Sequence, residues 1–146
     1  MSIATLDKRQ QKILEEIPSL NDFSKIYFYT VQSKFDNDFV KTLDSMIGLN
    51  DTILSDWLSI TPRTFRNYKK NTDLILKGNI KEHIVLIISL YKHGIEVFGD
   101  TDNFEKWLSM KNPLLDNQAP TSFLDTVSGI KFIDNRLSAL EYGENV

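Results

Sequence analysis

The chain has no cysteine and only two histidines, His83 and His93, among its 146 residues. The missing cysteine excludes disulfides, thiolate nucleophiles and cysteine-based zinc sites. Neither histidine has an acidic partner at a spacing diagnostic of a metal site. Glycine and proline are sparse, at 6 and 4, and no repeat, low-complexity stretch or flexible linker interrupts the chain. The longest apolar run, Ile84 to Ile88, is far too short to span a bilayer. The opening Met1-Ser2-Ile3-Ala4-Thr5-Leu6-Asp7-Lys8-Arg9 lacks an apolar core of signal-peptide length. The expectation is therefore a cytoplasmic protein with no membrane partner. Hydrophobic residues at 41% and charged residues at 25% suit one globular body, or two small ones packed together.

The net charge of -3 hides an asymmetry. Residues 1–93 hold 13 basic and 11 acidic groups, whereas residues 94–146 hold 4 basic and 9 acidic. An anionic partner should dock on the first part, and the acidic second part should face something else.

Periodicity predicts an all-α protein, with one ambiguous segment. Ile13, Leu14 and Ile17 mark a short N-terminal helix at best, stopped by Pro18. Ile26-Tyr27-Phe28-Tyr29-Thr30-Val31 is aromatic and β-branched, which favours a short strand over 26–31, with helix as the competing reading. Phe35, Phe39, Val40, Leu43, Met46 and Ile47 recur at helical spacing up to Gly48. Ile80 to Phe98 reads as a long central helix, apolar on nearly every side, with Gly99 just past its end; a buried strand is the competing reading of its centre, Ile84 to Tyr91, but the segment's length favours helix. A shorter helix carries Phe104, Trp107 and Leu108, and Asn112-Pro113 breaks it. A further short helix follows Pro120. The last helix is expected to start at Ser128 as N-cap, bury Ile130, Ile133, Leu137 and Leu140, and stop at Gly143. Trp57 and Trp107 lie on apolar faces and are read as core.

Residues 51–70 fit a helix-turn-helix. Asn50 is an N-cap candidate for the first helix, whose Leu54 and Leu58 face the crossing around the small Ser55. Ser59 stands at the turn, where glycine is more usual, and Ile60 plugs the space behind it. Thr61-Pro62 then reads as an N-cap followed by proline at the first helical position. With Phe65 and Tyr68 inward, the second helix presents Arg63, Thr64, Arg66, Asn67, Lys69 and Lys70 outward. Arginine can pair with guanine and asparagine with adenine in a major groove. The helix start, with Thr61, favours a phosphate, and Lys69 and Lys70 would meet the backbone. Lys77 and Lys81 extend that expected phosphate-contacting surface. A plain amphipathic helix with a solvated basic face has the same pattern. The charge asymmetry and the Thr-Pro-Arg start favour DNA.

Catalytic patterns are missing. Asp36-Asn37-Asp38 lacks the glycine and distant glutamate of a calcium loop. Gly94 and Gly99 do not form a phosphate-binding loop, and no carboxylate pair stands out as an acid–base couple. His83 and His93 are read as structural, His93 near a helix end that suits an imidazolium. The reading is a non-enzyme with no catalytic residue, metal or cofactor.

The second half carries an ordered series of landmarks. Glu96-Val97-Phe98-Gly99-Asp100 is followed by Phe104-Glu105-Lys106-Trp107-Leu108, then by Asn112-Pro113-Leu114-Leu115 and Pro120. Leu124-Asp125-Thr126, Gly129, Leu137 and Glu141-Tyr142-Gly143 complete it. This series resembles the C-terminal toxin-binding domain of the Xre/MbcA/ParS antitoxins, which are paired with RES-domain toxins. With the helix-turn-helix in front, the resemblance spans roughly residues 36–143. It implies an Xre/Cro-like DNA-binding region packed with a helical toxin-binding domain. It further implies a type II toxin–antitoxin system: the antitoxin blocks the active site of a RES toxin and represses its own operon. RES toxins deplete NAD, so NAD would be the partner's substrate and not a cofactor here.

On this reading residues 1–35 form an N-terminal arm or extension, 36–80 the DNA-binding region and 81–146 the toxin-binding domain. Toxin contacts are expected at Asn112, Pro113, Leu114, Arg136, Glu141, Tyr142, Gly143 and Glu144. Two departures stand out. Leu115-Asp116-Asn117 replaces a common Leu-Gly-Gly turn, which asparagine and aspartate can preserve because they tolerate left-handed backbone. Ala139 stands where a basic residue commonly precedes Glu-Tyr-Gly, so that contact is lost or moved, and Arg136 is the nearest cation. The short acidic tail Glu144-Asn145-Val146 would complement an electropositive cleft. A palindromic operator would need a homodimer that assembles further with toxin. The competing reading is a helix-turn-helix regulator whose C-terminal half only dimerises.

Overall fold

Side-chain caps decide where most of the helices begin. A computed structural model describes residues 6–143. Asp7, Asp22, Asn50, Thr61, Asp100 and Thr126 each accept a hydrogen bond from the backbone N–H three residues on. Such a cap is worth about 1 kcal/mol, because it satisfies a donor that the helix leaves open. The helices are α1 (Lys8–Glu16), α2 (Phe23–Gln32), α3 (Asp36–Met46), α4 (Asp51–Leu58), α5 (Pro62–Lys70), α6 (Gly78–Phe98), α7 (Thr101–Ser109) and α8 (Val127–Glu141). Single 3-10 turns lie at Pro113–Leu115 and Pro120–Phe123. The described residues form no strand, only one isolated bridge between Asn112 and Gln118. The fold is all-α.

Two expectations about local structure change. The segment 26–31 is helix, inside α2, and not strand. Asp22 caps it, and the Thr30 hydroxyl bonds back to the Ile26 carbonyl at 2.8 Å. A strand there would have no neighbour to pair with, whereas a helix buries Ile26 and Thr30 on one side. Propensity is outweighed by tertiary packing. The last helix starts at Val127, two residues earlier than a Ser128 cap allows. Thr126 caps it instead, accepting from Gly129 N at 3.0 Å.

Helix α6 is the axis of the body. Every side chain from Ile84 to Tyr91 is buried, because α1, α2, α3, α4, α7 and α8 all pack against this helix. That explains its lack of a polar face. The segment expected as an arm packs on the same core. Leu6, Ile13, Leu14, Ile17, Leu20 and Ile26 are all buried, and Ser89 of α6 bonds to the Pro18 carbonyl at 2.7 Å.

Lys81 takes no part in an exposed surface. It is buried, 2.9 Å from Asp36, and donates to the Ser33 carbonyl at 2.8 Å. Asp36 also accepts from Leu76 N at 2.8 Å. The pair thus ties the α2–α3 corner to the loop before α6. Burying one of these charges without the other would cost several kcal/mol.

Candidate functional site

Helices α4 and α5 follow one another across a tight turn at Ser59 and pack together. Leu54, Ser55 and Leu58 are buried, and Phe65 is fully so. Ser55 donates its hydroxyl to the Asp51 carbonyl at 2.6 Å, and its own carbonyl accepts from Ile60 N. Ser59 takes the left-handed conformation, φ 56°, which glycine adopts without cost. The turn therefore keeps its geometry without glycine. Asn37 of α3 braces the far end of α5 by donating to the Tyr68 and Lys69 carbonyls at 2.7 and 3.1 Å. These are two of the carbonyls that the helix itself leaves open.

The outer face of α5 is cationic and open to water. Arg63, Arg66, Asn67 and Lys70 are exposed. Thr61 and Thr64 have structural duties: the Thr61 hydroxyl accepts from Thr64 N at 3.1 Å and lies 2.9 Å from the Thr64 hydroxyl. Lys69 lies off that face. Its ammonium sits 3.3 Å from Asp44, 3.5 Å from Asp51 and 5.1 Å from the Phe65 ring centre. It therefore pins α5 to α3 and α4. The 3.6-residue period alone could not show this, because Asp44 and Asp51 come from other helices.

The C-terminal region joins this unit through buried contacts. Trp57 of α4 donates its indole N–H to the Thr121 carbonyl at 3.1 Å. Its ring centre lies 6.5 Å from that of Tyr91. Glu105 of α7 is buried, and its carboxylate accepts from the Tyr91 hydroxyl at 2.7 Å and from Gly48 N at 3.1 Å. Burial and the adjacent Glu105 hold the Tyr91 phenol strongly toward its neutral form. Phe98, Phe104 and Trp107 form a triangular aromatic cluster with centroids 5.6 to 6.2 Å apart. Gly94 makes room for it, since a Cβ there would lie 2.4 Å from the Phe104 ring.

The expected toxin-facing residues fall into two groups. Asn112, Pro113 and Leu114 form a small projecting turn, with Pro113 exposed and Leu114 57% exposed. Asn112 organises it. Its side chain accepts from Leu114 N at 2.9 Å, and its carbonyl accepts from Leu115 N and Asn117 N. Asp116 and Asn117 both adopt left-handed backbone, φ 58° and 59°, so the turn forms without glycine. The second group closes α8. Glu141 and Tyr142 are exposed, Tyr142 at 81%, and Gly143 has φ 79°. Arg136 is half-buried one turn earlier. Glu144 lies outside the described residues.

A histidine clamp holds that second group. His93 Nδ1 lies 2.6 Å from Asp134, and Nε2 lies 3.1 Å from Glu141. The bond to Asp134, then that to Glu141, outweighs burial and pushes the imidazole up to about 9. His93 is therefore a cation at neutral pH, binding α6 to both the middle and the last turn of α8. His83 meets the Leu124 carbonyl at 2.9 Å and is structural. Sequence reasoning missed His93, Glu105 and Asn37 as organisers. The partners of His93 lie 41 and 48 residues away, those of Glu105 14 and 57, and those of Asn37 31 and 32. The one available signal was an asparagine, a glutamate and a histidine at core-facing positions.

Among the described residues no group of three or more metal-ligating side chains converges. None of the helices is long and apolar enough to cross a membrane. No curated protein and no solved structure matches the chain. Residues 93–143, from the histidine clamp through the projecting turn to the end of α8, match the family model of the antitoxin Xre/MbcA/ParS C-terminal toxin-binding domain.

Proposed function

We propose that the chain is an antitoxin with two separate working surfaces. Residues 93–143, continued by Glu144, bind a RES-domain toxin and occlude its active site, which consumes NAD. The projecting Asn112-Pro113-Leu114 turn and the Glu141-Tyr142-Gly143 end of α8 supply the contacts, with Arg136 beside them. The other surface is the outer face of α5. There Arg63, Arg66 and Asn67 read base edges of an operator and Lys70 meets phosphate. Thr61 and Thr64 shape the helix start, while Lys69 holds it in place. Two copies would engage a palindromic operator and assemble further with toxin.

The match of residues 93–143 carries the toxin half of this reading. The open cationic face of α5, on a helix that Asn37 braces, supports the DNA half. The acidic balance of residues 94–146 suits an electropositive cleft on the partner.

The direct test is co-expression with the product of the neighbouring open reading frame. That product alone should stop growth and deplete NAD, and this chain should restore growth by forming a stable complex. A neighbouring product that is harmless, or that this chain fails to neutralise, refutes the antitoxin reading.

A further inference from the structure

Residues at the end of α2 leave an apolar face largely open, with the Arg9 guanidinium over the Phe35 ring alone, 4.5 Å from its centre. Tyr27, Phe28 and Val31 are 57%, 56% and 60% exposed, and Phe35 just beyond is 60% exposed. Tyr27 and Phe28 meet edge to face, with centroids 5.4 Å apart. Phe35 sits in left-handed backbone at φ 65°, with no cap bond from its side chain. Opposite Tyr27, Val31 and Phe35, across a groove of about 690 Å³, runs the segment that joins α5 to α6. Its Ile75 is 89% exposed. An isoleucine this bare beside an aromatic wall is the mark of an interaction surface.

We propose that this face joins two copies of the chain, Ile75 of each seated in the groove of the other. A two-fold contact must be self-complementary, so knob and hole have to lie on one patch. Here they do. The area is sufficient as well. From their exposures, the five side chains present on the order of 500 Å² of apolar surface. A standard interface buries about 800 Å² per partner, of which a little under 60% is non-polar, or about 460 Å². The groove's lining carries Lys34 and Glu82 beside the internally paired Lys81 and Asp36, so the patch has no net charge to oppose a second copy. None of the groove's residues belongs to the matched segment 93–143, which leaves that segment free for another protein.

The position gives the contact a purpose. The groove is built from the connection that leaves α5, so a two-fold there sets the distance and angle between two α5 helices. A palindromic site demands such a fixed spacing between its two readers. This last step rests on the operator-binding reading above, whereas the dimer itself does not.

Sedimentation equilibrium of the full chain and of two variants, I75E and V31E, tests the inference. Both positions are exposed, so each variant should keep the wild-type helical circular dichroism, and its melting temperature should fall only by what dimer dissociation removes. The wild type should sediment at twice 16.9 kDa, and each variant as a monomer. Palindromic operator affinity should then fall by roughly tenfold or more, with half-site affinity unchanged. A monomeric wild type, or variants that remain dimeric, overturns the inference. So does loss of toxin binding in I75E without any change in mass, which would assign this face to the toxin. A dimer that I75E dissociates but that binds no DNA upholds the contact and removes only the operator half of the proposed function.

Discussion

Raising the pH should unfasten α8 from α6, and H93Q should abolish the effect. His93 is held at about 9 by Asp134 and Glu141, against about 6.5 in an unfolded chain. The folded value is the higher one, so the clamp contributes fully below about 6.5 and is lost as pH rises through about 9. A gap of this size corresponds to roughly 3 kcal/mol at most. Glu141 is partly in water, its side chain 42% exposed, and screening lowers the net value to about 2 kcal/mol. For a chain of this length that is roughly 6 °C in melting temperature. The charged neighbours on α6 itself, Lys92 and Glu96, are half-buried and exposed respectively. The assay is urea unfolding of wild type and H93Q at pH 6.5 and 9.5. Wild type should lose about 2 kcal/mol more than H93Q between the two. Hydrogen exchange should place the loosening at residues 138–143. Parallel pH profiles for the two proteins would show that no cationic clamp exists.

Three more outcomes follow from the geometry. R63A/R66A should weaken operator binding by about 2–6 kcal/mol and flatten its salt dependence, while toxin neutralisation in the co-expression assay stays intact. G129A should cost about 3 kcal/mol or more in thermal unfolding, because its Cβ would lie 1.8 Å from the Phe123 carbonyl oxygen, which is backbone and cannot swing aside. E105A should cost about 1–3 kcal/mol, since the buried Tyr91 hydroxyl loses its acceptor in the interior and the exposed Gly48 N–H loses its partner. Equal stability of E105A and wild type would show that water replaces the carboxylate there.

Local chemistry was legible wherever neighbours in sequence are neighbours in space. Asn50 and Thr61 as caps, Ser59 at the turn, Phe65 inward and Arg63 and Arg66 outward all follow from a helical period and a three-residue cap. The all-α class, the long buried α6 and the left-handed Asp116-Asn117 turn have the same origin. Aromatic content at 26–31 suggested a strand because propensity reports how a residue suits a pleated surface, not whether a partner strand exists. Lys69 and Lys81 read as free cations because their carboxylates, Asp44, Asp51 and Asp36, lie 18 to 45 residues away. What only the tertiary structure decided is which charges pair, that His93 rather than a sequence neighbour anchors the end of α8, and that Ile75 stands bare beside an aromatic groove. Hydrogen bonds and ion pairs act over about 3 Å, and chain contour does not report such distances until the helices have packed.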